Sequence, residues 1–296
     1  VWIFGIIICV WKFIQLGRPK YLYLLSALLA VSLATKETIF LTTSVIAFCL
    51  IFLALVKQNS VSILRFGHKT LLPLLLVIST LMLPQILPLT GIIQEFFGVT
   101  LVNHNPSLGA VGLPLEFGKT VAIFMTVAAF LTSLLIGIVW NWRQWLICSG
   151  IFYLIWGALY SNGFTNVEGV TTGIWQSLGY WIAQQEVARG GQPWYYYLII
   201  ASLYEFLPFL FGIIGLILHT RNGDPFIKFL ILWAVATFCL YSFASEKMPW
   251  LLVHLTIPMI LISGFTIGKI IDTVPWKQIG WLWVTVIIVV IPLQLF

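Results

Sequence analysis

Apolar runs close to 20 residues long recur from one end of this chain to the other, and no other feature restricts its fold so severely. A run of that length, wound as a helix at about 1.5 Å per residue, crosses the roughly 30 Å hydrocarbon core of a bilayer. The runs do not alternate polar and apolar residues, so the period of a membrane β-barrel is missing. With 60% hydrophobic and 8% charged residues, the composition also excludes an ordinary soluble domain. The chain reads as all-α, a polytopic transmembrane helix bundle forming a single domain over 1–296. Its net charge of +6 is scattered over short loops, which orients helices in a lipid bilayer and gives no reason to expect nucleic acid.

Hydrophobic segments lie at about 1–16, 21–35, 38–56, 71–90, 120–139, 144–160, 195–218, 226–243, 249–270 and 279–296, which makes nine to ten spans. The first opens inside an apolar run at Val1, with no Met, basic leader or cleavage site. A truncated first span, and a longer protein of which this is the C-terminal part, are expected. From Tyr21 to Val56 a single helix would be roughly 54 Å long, far more than a bilayer needs. Lys36-Glu37 interrupts that run, and a tight hairpin of two short spans is expected instead. Cys9, Cys49, Cys148 and Cys239 fall in four different segments without ligand spacing, so they read as free thiols and no metal ligand set is expected.

The hairpin also sorts the charges. Lys12, Arg18, Lys20, Lys57, Arg65, Lys69, Arg143, Arg221, Lys269 and Lys277 fall on one side, which the positive-inside bias makes cytoplasmic. Lys36, Lys119, Arg189 and Lys247 fall on the other, and Lys228 lies just inside a span beside the basic side. All seven glutamates lie on or near the outer side, both aspartates inside. Acidic residues orient helices weakly, so this asymmetry points to a polar site facing outward.

Two outer loops are long. The loop at 91–119 is punctuated by Gly and Pro and reads as irregular, with room for a re-entrant turn. The loop at 162–194 carries Trp175, Leu178, Ile182 and Ala183 on one helical face, with Gln176, Gln184, Gln185 and Glu186 mostly opposite. That pattern is an amphipathic helix, expected in the membrane interface. Out of it leads Arg189, then Gln192 before Pro193 and an aromatic cluster. This is either an aromatic belt with a snorkelling arginine or a groove in which Arg189 holds a phosphate.

Glu205, eleven residues past Trp194, would lie roughly 16 Å down a continuous helix, with Pro208 kinking it. A carboxylate at that depth faces protein or water, in a polar cavity or a structural pair. Glu246, Lys247 and His254 belong to an outer turn and the helix that Pro249 starts. They would suit an anionic ligand, or the turn merely reverses the chain. Lys36 and Glu37 form a second outer pair with the same two readings. His104 and Glu116 are weaker candidates on a mobile loop.

Three stretches carry a resemblance: ATKET at 34–38; GIWQSLGYWIAQQEVARGGQPWYYY at 173–197, followed by YEFLP at 204–208; and SEKMPWLLVHLTIP at 245–258. Together they resemble the membrane-embedded glycosyltransferases of the C superfamily. The nearest likeness is to the prokaryotic flippase-activity-associated subgroup, related to dolichyl-phosphate-mannose protein mannosyltransferases. The resemblance implies a polyprenyl-phosphate sugar as donor, inverting sugar transfer, and an active face directed outward from the prokaryotic cytoplasmic membrane. It also implies an acidic catalytic motif in a first outer loop upstream of Val1. The present stretch would then be the donor-lipid and phosphate side of the site, with Lys36, Glu37, Arg189, Gln192, Glu205, Glu246, Lys247 and His254 as substrate-binding candidates. The sugar, the acceptor and any metal requirement stay open. Two other functions are compatible: a flippase-accessory protein for lipid-linked sugars, and a non-catalytic helical subunit partnered within a larger membrane complex.

Overall fold

The computed structural model describes residues 1–58, 68–187, 191–245 and 247–274. All regular structure among them is helical. Arg189, Glu246, the segment at 279–296 and most of the loop at 61–69 lie outside the described residues.

Three helices among the described residues are long and apolar enough to cross a membrane: Phe117–Tyr160, Pro225–Phe243 and Pro249–Thr273. Two bent pairs join them if each is one span. These are Thr70–Met82 with Pro84–Phe97, bent by 67°, and Tyr196–Tyr204 with Phe206–Thr220, bent by 114°. By length and composition there are thus three to five candidate spans. Trp2–Leu16, Lys20–Thr35 and Ile39–Ala54 are apolar but shorter. Side chains on the outside are apolar where water would demand polar ones: Phe124, Leu135 and Val139 are 72%, 63% and 87% exposed.

Helices α1 (Trp2–Leu16), α2 (Lys20–Thr35), α3 (Ile39–Gln58) and α4 (His68–Met82) come first. The break between α2 and α3 falls at 36–38, where the charged pair places it. The two helices splay rather than pack tightly, because each has a better partner. α2 lies on α1 and on α5 (Phe117–Tyr160), while α3 lies on α4 and on the later helix Pro225–Phe243.

α5 is a hairpin. At Asn141 the backbone leaves the helical region (φ −166°, ψ 93°) and the chain reverses. Phe130 and Tyr153 then stack 5.2 Å apart, where 23 residues of unbroken helix would separate them by roughly 34 Å. The segments expected at 120–139 and 144–160 are its two arms. Gly137 makes the reversal tight: a Cβ there would run into the Trp145 ring. The Trp145 indole N–H is in turn fixed by donating to Thr80 Oγ1 at 3.0 Å, an oxygen whose own proton goes to the Leu76 carbonyl. Thr80→Val strands the indole donor in a buried site. It is expected to lower the unfolding free energy by about 0.6–1.7 kcal/mol, measured by equilibrium unfolding in bicelles. Unchanged stability would show that this bond does not hold the hairpin.

After α5 come α6 (Ser177–Val187), α7 (Tyr196–Tyr204), α8 (Phe206–Asn222), α9 (Pro225–Phe243) and α10 (Leu252–Thr273). Turns expected on the outer side gather at one end of the bundle. There the Tyr160 hydroxyl donates to the Leu33 carbonyl at 2.8 Å, Trp175 Nε1 donates to Thr126 Oγ1 at 3.1 Å, and the Ser245 amide donates to Gln185 Oε1 at 3.0 Å. At the opposite end of α9, Trp11 packs on Phe226 with ring centroids 4.7 Å apart.

Candidate functional site

The site is built around the turn at 36–38. α2 ends as Lys36 turns extended (φ −164°, ψ 143°). The Lys36 amide still donates to the Ser32 carbonyl at 3.1 Å, and the carbonyls of Lys36 and Glu37 accept from the amides of Ile39 and Phe40 at 3.3 and 3.0 Å. With its backbone satisfied on both sides, the turn holds Lys36 and Glu37 on a ridge between two cavities. The smaller, about 130 Å³, is walled by α6 through Tyr180, Trp181 and Gln184, by Tyr241 of α9, and by Trp250. The larger, about 340 Å³, is completed by Tyr160, Gln176 and Ser177. Tyr180 lines both.

Tyr241 is 2% exposed, and neither its hydroxyl nor Gln184 Oε1 has a hydrogen-bond partner among the described residues. Buried polar atoms are rarely left so. Behind Tyr241 the His254 ring is stacked on it, centroids 5.5 Å apart and planes at 11°. His254 Nδ1 likewise has no partner among the described residues. Lys247 is 8% exposed and its ammonium donates to the carbonyl of Ala244 at 2.7 Å, a residue that itself lines the smaller cavity. The turn at 245–248 is anchored further by Tyr197, whose hydroxyl accepts from the Met248 amide at 3.3 Å.

The fold thus gathers Lys36, Glu37, Lys247 and His254 at one place. Two further site candidates, Arg189 and Glu246, fall outside the described residues. Gln192 is exposed, in the irregular stretch before α7, and lines neither of the two cavities. Glu205 does not sit down a continuous helix. α7 stops at Tyr204, Glu205 takes φ −127° and ψ 43°, and the axis turns by 114° there. The break falls beside Tyr204, whose carbonyl is the one that Pro208, four residues on, leaves without a donor. Glu205 is half-buried between exposed Tyr204 and Phe206, and it too lines neither cavity.

The loop at 91–119 and the segment at 172–187 pack on each other. Trp175, Leu178, Ile182 and Ala183 are all buried, so protein covers the apolar face of the amphipathic segment. The segment is not one smooth helix: the stretch Thr172–Gln176 is a π-turn leading into α6. The loop at 91–119, expected to be mobile, is stitched down. Gln94 Oε1 accepts from the amides of Leu101 and Val102, both at 2.8 Å, and Asn103 Nδ2 donates to the Gly109 carbonyl at 3.0 Å. Gln176 Nε2 reaches across to the Val111 carbonyl at 3.1 Å. Gly112, at φ 87°, and Gly179 bring their backbones so close that a Cβ on either would strike the other strand of chain. That contact fixes the position of Tyr180.

Sequence reasoning missed Tyr180 and Tyr241 and put Gln184 only on a polar face. Tyr241 carries no local signal inside an apolar span. Gln184 had one: its register on the same helix as Trp181, one turn past Tyr180.

No family model, curated protein or solved structure matches the chain.

Proposed function

We propose that this chain is the donor-binding part of a membrane glycosyltransferase that takes a sugar from a polyprenyl-phosphate donor at the outer face of a prokaryotic cytoplasmic membrane. The observation that carries this reading is convergence. Three stretches far apart in sequence, 34–38, 173–186 and 245–254, supply walls or immediate supports of the same two cavities. Lys36 and Lys247 provide positive charge for a phosphate, while Glu37, Gln184 and Tyr241 provide hydrogen-bonding groups, and Trp181 and Trp250 aromatic faces, for a sugar. In this reading the bundle makes nine to ten crossings, each arm of α5 and each short apolar helix counted as one. α6 then lies at headgroup depth.

The test uses the full-length, otherwise cysteine-free protein with Gln184→Cys, in sealed cells and in vesicles. An impermeant thiol reagent is expected to label the cysteine from outside, and a polyprenyl-phosphate-linked hexose to slow that labelling. Labelling only from the cytoplasmic side would overturn the orientation. Labelling from outside with no protection by the donor would overturn the donor site.

A further inference from the structure

A third cavity, about 580 Å³ and separate from the turn at 36–38, lies where the start of α5 meets the second outer loop. Its walls are apolar and include Ile123, Val127 and Trp175, with Lys119 and Glu168 among the lining residues. The deep side is firm, because Trp175 is buried and tied by its indole N–H to Thr126 Oγ1 at 3.1 Å. The other side is open, because Ile123 and Val127 are 65% and 52% exposed on a helix apolar enough to span a membrane. The groove therefore opens sideways, toward the place where acyl chains lie. Its two charged residues, Lys119 and Glu168, are both exposed, and no ion pair joins them among the described residues.

We propose that this groove binds a zwitterionic phospholipid of the phosphatidylethanolamine type, with one acyl chain along Ile123 and Val127. Lys119 takes the phosphate and Glu168 takes the ammonium. Charge decides the class of lipid. An anionic lipid with a single phosphate would satisfy Lys119 but meet repulsion from Glu168, whereas a headgroup with both signs satisfies both residues. Neither Lys36 nor Glu37 lines this groove, so the site is distinct from the one proposed above and stands whether or not the chain transfers sugar.

The protein is purified in detergent and titrated with phosphatidylethanolamine or phosphatidylglycerol of the same acyl chains, and bound lipid is counted by native mass spectrometry. The parent is expected to prefer phosphatidylethanolamine. Glu168→Lys is expected to shift that preference toward phosphatidylglycerol by about fivefold, the scale of one exposed charge contact. Val127→Trp, at an exposed position that tolerates bulk, is expected to fill the groove and reduce retention of both lipids. Equal or greater retention of phosphatidylglycerol by the parent would overturn the proposal, as would an unchanged preference in Glu168→Lys. Undiminished retention in Val127→Trp would show that the lipid counted sits elsewhere.

Discussion

Lys36→Met is expected to weaken binding of a polyprenyl-phosphate sugar by about ten- to a hundredfold while leaving helix content and thermal stability as in the parent. Lys36 is the one cation among the described residues that line the two cavities beside the turn. A charge-assisted contact to phosphate contributes roughly 1.5–3 kcal/mol, or about one to two decades of affinity. Lys36 is exposed, so screening places the effect nearer the lower figure, and added salt should narrow the gap between parent and variant. Methionine keeps the unbranched stem, so the turn, held by backbone bonds at 36–40, loses only the charge. Equal affinity of parent and variant at low salt would remove Lys36 from the donor site.

Gly179→Val is the stability counterpart. A Cβ at position 179 would collide with the carbonyl of Gly112, and the neighbour is backbone rather than a side chain that can swing away. Gly112 cannot yield readily, since its φ of 87° is already in the region that favours glycine. Overpacking of this kind costs roughly 1–3 kcal/mol, and relief comes only by separating α6 from the loop at 91–119. Because Tyr180 lines both cavities, that separation should also abolish donor protection at the site. Gly150→Val is the control, because a Cβ there meets nothing within 4 Å. A Gly179→Val protein as stable as Gly150→Val would show that the two loops are not in register as described.

The helical class and the break at 36–38 were legible in the sequence because they depend on local quantities. Apolar length sets a span, and a charge pair such as Lys36-Glu37 is costly in hydrocarbon, so the chain breaks there. That Trp175, Leu178, Ile182 and Ala183 share one apolar face followed from helical periodicity. Periodicity says that a face is apolar, however, and not whether lipid or protein covers it. Here protein does, because the stitched loop at 91–119 and the stretch Pro84–Ile93 pack beside α6.

What only the tertiary structure decided was which polar groups meet. Lys36 and Tyr241 are 205 residues apart in sequence and line one cavity. No spacing rule connects them, because their proximity depends on α3 leaving α2 to pack against α9. Glu205 shows the opposite case. Its sequence argued for depth along a continuous helix, but the 114° turn between α7 and α8 moved it away from that line. The sequence determined where a charge was too costly to bury without company; the packing of distant helices determined which company each one found.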